Sequence, residues 1–420
     1  MKQHPTHLGI FGGTPLFNEP LVVGRPDMSS RNAMLERISD VLKSGWLTNN
    51  GPVVQEFESA ICDQTGAAHC VAVCNGTMAL QIMAKACGLT GEVILPAFTY
   101  IATAHALEWI GLTPIFADVD PATHTIDVDS VRRCITPQTS AILGVHIWGN
   151  PCDVDALQQL ANEHHLRLMF DACHAFGCRR HGQAVGTFGE AEAFSFHATK
   201  FVHSLEGGAI LTQSDELAAR MRLMRNFGIT GLDTIESCGI NGKLSEVSAA
   251  AGLTSLATTD ERMLHNRNLQ RTYTSALQNC PGLDMLSITA DQGGNSQYAV
   301  AQVDTNRFGL NRDQLLRVLR AEGIFARSYF VPGCHRAAPY ASSRAHTPVS
   351  LPNTEAILSS VMQLPTGPAV PTGTAARVAE FLIWVQRNSH AICDRLDSAA
   401  PQSNHSADPA FNIPALPLAG

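Results

Sequence analysis

The 420-residue sequence has no paired cysteines, no run of basic residues and no apolar stretch of membrane-spanning length. Each absence removes a class. Its twelve cysteines are scattered singly, beginning with Cys62, Cys70, Cys74 and Cys87, and no C-x-x-C occurs. They read as reduced core residues, with neither a disulfide framework nor the paired spacing of a structural zinc site. A net charge of −8 without clustered Lys and Arg argues against nucleic acid or an anionic membrane surface as partner. The opening "MKQHPTHLGIFGG" lacks the apolar core of a signal peptide, so a cytoplasmic protein is expected. There is no Walker A sequence and no G-x-G-x-x-G after a strand-like run, which disfavours nucleotide hydrolysis and a standard dinucleotide site. Nor is there an internal repeat.

What the chain does have is ample core material, 45% hydrophobic residues, arranged in a regular alternation. From about residue 67 to 215, short apolar runs ("HCVAVC", "EVILPAF", "PIFADVD", "TSAILGVHIWG", "LRLMFDA", "AEAFSF") alternate with amphipathic stretches. Runs of five to seven residues separated by helical periodicity predict an α/β fold with a mostly parallel sheet covered by helices. Residues 1–255 are expected to form this large domain, including an N-terminal arm. After it, "SEVSAAAGLTSLATTDERMLHNRNLQRTYTSALQ" predicts a helix long enough to link domains. "QYAVAQVD", "DQLLRVLRAEG" and "FARSYFVPG" suggest a smaller α+β domain over 256–395. The Pro-, Ala- and Ser-rich residues 396–420 read as a mobile tail.

In a parallel sheet the ligand sits beyond the carboxyl ends of the strands. Those ends carry Asn75-Gly76-Thr77, Thr99-Tyr100, His146-Trp148, Asp171-His174 and Ser195-His197-Lys200. Gly76-Thr77 opens a helix, and its free N–H groups with the Thr hydroxyl could cradle a phosphate, joined by Ser195; the ordinary reading is a turn and N-cap. Asp171 follows a strand too apolar to be exposed. It is either a cap or ion pair, or the partner of a bound cation such as a protonated pyridine nitrogen. His174 could lie against a planar ligand, or simply pack. Tyr100 could set its ring against the same flat group. Lys200 is either a side chain reaching solvent or an amine whose pKa burial has lowered, able to attack a carbonyl. Taken singly these signals are weak. Their order along the chain fits one site, that of pyridoxal phosphate.

"FDACHAFG", "FSFHATK", "EGGAILT" and "NGKLSEVSAAAGL" closely resemble the DegT/StrS family of pyridoxal-phosphate-dependent sugar aminotransferases, over roughly residues 10–390. The resemblance implies the aspartate aminotransferase (type I) fold. It also implies that Lys200 carries the cofactor and shuttles protons, Asp171 pairs with the pyridine nitrogen, and His174 lies beside the ring. Gly76, Thr77 and Ser195 would hold the phosphate, Tyr100 would stand next to the ring, and Asn241 would reach the phosphate of the other subunit in a homodimer. Trp46, Thr48, His197, Tyr329 and His335 would approach the sugar.

The implied reaction takes an amino group from L-glutamate, through pyridoxamine phosphate, to a nucleotide-linked keto-sugar. The implied acceptor is dTDP-4-keto-6-deoxyglucose, giving a 4-amino-4,6-dideoxy sugar. Amination at C3, a Schiff-base aldolase without pyridoxal phosphate and a non-catalytic binding protein are the alternatives at this level. Cys173 stands where the family usually has a small residue, a change that packing should tolerate.

Overall fold

The computed structural model describes residues 2–398 apart from 288–292, 343–345 and 348. The tail expected over 396–420 therefore lies outside the described residues from 399 onward, and 396–398 end a helix, Ser389–Ser398.

The apolar runs become seven strands: β1 (His69–Val73), β2 (Glu92–Pro96), β3 (Thr113–Ala117), β4 (Thr139–Val145), β5 (Arg167–Asp171), β6 (Ala191–Ser195) and β7 (Gly208–Thr212). They form one sheet in the order β1-β7-β6-β5-β4-β2-β3. All pairings are parallel except those of β7, which runs antiparallel to both β1 and β6. Nearly every sheet residue is buried, because helices cover both faces, which is why the strands read as unbroken apolar runs. The helix Gly76–Ala86 packs on one face with Leu80, Ile82 and Met83 in the core. On the other face Phe57 and Ile61 join Phe194 and Leu211.

The reversal of β7 matters for the site. It makes residues 196–207 a loop that leaves β6 and returns at the same sheet edge. That edge also holds the carboxyl ends of β1, β5 and β6. Lys200, Asp171, Ser195 and Gly76 therefore share one rim by topology alone.

A smaller unit carries a three-stranded antiparallel sheet, β8 (Leu283–Met285), β9 (Ala299–Val303) and β10 (Val361–Leu364), with β9 central. The long helix expected from residue 245 is two: Glu246–Leu256 and Thr259–Leu277. At the break Thr258 leaves helical geometry, and the buried guanidinium of Arg262 donates to the freed carbonyl of Ser255 at 2.6 Å and to that of Phe201. Helix ends leave unpaired carbonyls, and here a side chain satisfies one.

The N-terminal arm packs on this smaller unit. Leu8 is wholly buried with Leu315, Val318 and Phe381. The Glu322 carboxylate accepts from the N–H groups of Gly9 and Leu16 at 2.6 and 2.7 Å. Leu21–Val22 pairs in parallel with Ile324–Phe325. No described helix is long and apolar enough to cross a membrane, and no described His/Cys/Asp/Glu group could hold a metal ion.

Candidate active site

Begin with the helix Gly76–Ala86. Asn75 caps it, its side chain accepting from the Met78 N–H at 2.8 Å. The N–H groups of Gly76 and Thr77 have no intrahelical acceptor and point out of the helix start. Close approach builds the rest of the cradle. A Cβ on Gly76 would stand 3.0 Å from Ser195 Cβ and 3.1 Å from Cys173 Sγ. One on Gly208 would stand 2.6 Å from the Asn75 carbonyl carbon, so β7 can pass directly beneath the turn only as glycine. The ends of β1, β5 and β6 thus meet at Gly76. Gly76→Ala is expected to push Ser195 and Cys173 apart and weaken binding of pyridoxal phosphate by about tenfold, read by fluorescence titration of the apoenzyme. An unchanged affinity would remove Gly76 from the cradle.

Asp171 is buried and held from two sides. Its Oδ2 accepts from the Thr103 hydroxyl at 2.8 Å, and Oδ1 from the Cys173 N–H at 3.1 Å. Thr103 is in turn 2.9 Å from the Thr99 hydroxyl. Thr103 was missed at the sequence level, since it lies 68 residues from its partner on another helix. Each carboxylate oxygen keeps a lone pair for a cation, as a pyridinium partner requires.

His174 lies in an aromatic nest: Tyr298 at 4.7 Å, Trp148 at 6.2 Å and Phe330 at 6.2 Å between ring centroids. Burial, and then the charge of Lys200, pushes its pKa well below the ordinary histidine value. Geometry agrees, because Nδ1 accepts from the Trp148 backbone N–H at 3.4 Å and cannot itself carry a proton. Trp148 makes that contact from a left-handed backbone, φ 62°, strain for a bulky residue that its surroundings must hold. They do so through its indole N–H, which donates to His124 Nδ1 at 3.2 Å. His124 is then neutral with its proton on Nε2; the Gln302 amide nitrogen stands 3.1 Å from that atom, and turning the amide end for end gives the proton an oxygen acceptor.

Burial pushes the His124 pKa down to about 4. A histidine whose folded pKa is depressed costs stability in acid, since the unfolded chain takes the proton first. Stability should be complete above about pH 6.5 and fall as pH drops toward about 4, with His124 alone contributing about 3 kcal/mol. His174 acts in the same direction. Denaturant titrations at pH 7.5 and 5 check this, and His124→Asn should flatten the dependence; an equal slope in the variant would contradict it.

Lys200 follows β6, its N–H donating to the His197 carbonyl at 2.8 Å. Its side chain is half-buried. Burial pushes the amine pKa down, against the opposing pull of Cys173 and Asp171. A lowered pKa leaves more neutral amine for attack on a carbonyl. The amine opens into a cleft walled by Gly24, Asn266, Tyr298, Arg327 and Tyr329 among others. A larger open depression of about 490 Å³, between Thr65 and Gln183, is at the opposite sheet edge and holds none of these groups.

The other expected site residues are distributed around this centre. Tyr100 is exposed and meets Phe330 edge-on at 6.4 Å, and Phe330 in turn stacks 6.2 Å from His174. His197 is exposed, 2.9 Å from the Thr199 hydroxyl and 3.6 Å from Glu206. Tyr329 is in the cleft wall, its hydroxyl pKa raised by burial. His335 pairs with Glu355 at 2.8 Å and is not part of that wall. Trp46 is 53% exposed, with its indole N–H donating to the Thr48 carbonyl at 2.7 Å. Asn241 is exposed beside the end of β1, where the Cys74 N–H donates to the Gly242 carbonyl at 2.8 Å. Within one chain, Trp46, Thr48 and Asn241 do not join the cleft.

An amine, a buried carboxylate and a glycine-opened helix start stand together on one rim of a mostly parallel sheet. Likeness to known proteins gives the class, an aminotransferase. The profile of the DegT/DnrJ/EryC1/StrS aminotransferase family matches residues 29–383, and the chain belongs to that family. It is 35% identical to a dTDP-4-amino-4,6-dideoxy-D-glucose transaminase of Shigella dysenteriae, over 75% of this chain and 85% of the relative. The Escherichia coli enzyme of the same name is 32% identical, over 83% and 94%. Among solved structures, DesI in the presence of its TDP-sugar product superposes with a TM-score of 0.90 at 44% identity, over 94% of this chain and all of that one.

Proposed function

We propose that this protein is a pyridoxal-phosphate-dependent aminotransferase that moves the amino group of L-glutamate to dTDP-4-keto-6-deoxyglucose, giving a dTDP-4-amino-4,6-dideoxy sugar. The observation that carries the reading is the junction at Gly76, where the phosphate cradle, the Asp171 loop and the strand leading to Lys200 meet. The names of the similar transaminases support the choice of C4 and of dTDP.

When bound, pyridoxal phosphate supplies an electron sink for the carbon that loses its proton. Gly76, Thr77 and Ser195 would hold the phosphate. Asp171, oriented by Thr103 and the Cys173 N–H, would keep the pyridine nitrogen protonated. The neutral His174, fixed by Trp148, would lie against the ring. Lys200 would remove the proton from Cα of the donor and, in the second half of the cycle, deliver one to C4 of the sugar.

The working unit is proposed to be a homodimer. Leu35, Leu42, Trp46 and Leu47 on and after the helix Arg31–Ser44, and Leu232 and Ile235 near Asn241, are exposed apolar side chains. A second copy would cover them. The test is incubation of the purified protein with cofactor, L-glutamate and dTDP-4-keto-6-deoxyglucose, with the product read by NMR. An amine on C4 is expected. An amine on C3, or an unaltered sugar, would contradict the assignment.

A further inference from the structure

Every nitrogen of the Arg262 guanidinium is engaged, and its partners belong to three separate parts of the chain. Nη1 donates to the Phe201 carbonyl and, at 3.0 Å, to the Ser255 hydroxyl. Nη2 donates to the Ser255 carbonyl at 2.6 Å and to the Thr258 hydroxyl. Nε lies 2.8 Å from the Asp27 carboxylate. Capping the helix break at Thr258 needs only the Ser255 contact. The contacts to Phe201 and Asp27 go beyond what a cap requires.

Those two partners border the reacting amine. Phe201 directly follows Lys200. Asp27 belongs to a strap, residues 23–29, that runs past the Lys200 loop and lines its cleft through Val23, Gly24, Arg25 and Asp27. The approach is close, since a Cβ on Gly24 would stand 3.5 Å from Thr199. His203, on the same loop as Lys200, adds a second tie. Its Nε2 lies 2.9 Å from the Asp27 carbonyl and so carries the ring proton, and its backbone N–H donates to the Ser255 hydroxyl at 2.9 Å. Loop, strap and helix break thus close on one another around Arg262. The other described hydrogen bonds of residues 197–202 are local, apart from the Gln297 amide on the Thr199 carbonyl at 3.3 Å.

We propose that Arg262 is the positioning residue for Lys200: by holding the Phe201 carbonyl and Asp27 in one guanidinium, it fixes the backbone that carries the amine and the strap that walls its cleft. This rests on the reading of Lys200 as the reacting amine. A planar fork with donors in fixed directions can hold three partners at once, whereas an ammonium group is a single point of charge on a flexible stem. Placement matters because an error of about 1 Å at a reacting group costs on the order of a hundredfold in rate. With all three nitrogens engaged by the chain itself, Arg262 acts through the loop and touches no substrate.

The test joins hydrogen exchange of the full chain, with and without pyridoxal phosphate, to half-reaction kinetics. In Arg262→Gln the amides of 24–29 and 197–203 should exchange about tenfold faster than in the wild type, while β4 and β5 keep their protection. In both half-reactions kcat should fall about a hundredfold, with KM changed less than about threefold. Arg262→Lys keeps the charge opposite Asp27, so it should restore protection of the strap but not of 197–203. Asp27→Asn, the mildest change, should free the strap alone and keeps the test open if Arg262→Gln does not fold. Unchanged exchange over 197–203 together with a raised KM would make Arg262 a substrate contact and overturn the proposal. Faster exchange confined to 255–265, with wild-type kcat, would reduce Arg262 to a helix cap and overturn it too. A wild type that forms no visible band would instead overturn the transamination reading, and the exchange pattern would still decide whether Arg262 holds the loop.

Discussion

Replacing Lys200 by alanine is expected to abolish amino transfer, with a fall in kcat on the order of 10⁵–10⁶-fold, while the protein stays folded. The two halves of that expectation have separate causes. Lys200 is the one amine at the meeting point of β5, β6 and the helix start at Gly76, so no described lysine nearby can replace it as proton carrier. Its burial holds the amine below its ordinary pKa, which means the folded chain bears a desolvation cost that alanine removes. Thermal stability of the apo variant should therefore equal or exceed that of the wild type, as for other residues that serve activity at the expense of the fold. Borohydride treatment in the presence of pyridoxal phosphate adds a second readout. The intact mass of the wild type should rise by one cofactor, and peptide mapping should put it on Lys200. A variant that still turns over, or a label on another lysine, would remove Lys200 from its role.

Asp171→Asn is the second large effect, about a 10³-fold loss of kcat with little change in fold. The amide has the shape of the carboxylate, and the neighbourhood can adapt to it. With the amide nitrogen in the Oδ2 position, the Thr103 hydroxyl accepts instead of donating and turns its own proton to Thr99, 2.9 Å away. The remaining oxygen still accepts from the Cys173 N–H, as Oδ1 does now. What the amide lacks is the negative charge that keeps a pyridine nitrogen protonated. Cofactor affinity should fall only modestly, since the phosphate cradle is untouched. Stopped-flow measurement of the glutamate half-reaction checks this; a near-wild-type rate would show that Asp171 is structural.

Much of this site could be read from the chain because parallel strands announce themselves locally. "HCVAVC" and "LRLMFDA" are continuous apolar runs, and the polar residues that follow each fall on the same rim by the rule of strand ends. The reversed direction of β7 was not legible, since "GGAILT" has the same composition whichever way it pairs. Nor was the attachment of the N-terminal arm to the smaller unit. It rests on two strand residues, Leu21 and Val22, paired some 300 positions away, and on Glu322 receiving the arm's N–H groups. The helix break at Ala257-Thr258 has no proline or glycine to mark it and depends on Arg262 from the next turn. Thr103, Tyr298 and Arg327 owe their place in the site to tertiary contact alone. Arg327 and Tyr298 sit in stretches that periodicity assigns only to a small α+β unit.

The central claim is that Lys200 and its surroundings hold pyridoxal phosphate for transfer of an amino group. The most direct measurement is the visible absorbance of the purified protein with pyridoxal phosphate, before and after L-glutamate. The account predicts a yellow band that forms on loading, bleaches with the donor and returns when the keto-sugar nucleotide is added. A wild-type protein that never develops the band would contradict it, and Lys200 would then be a half-buried amine without a cofactor.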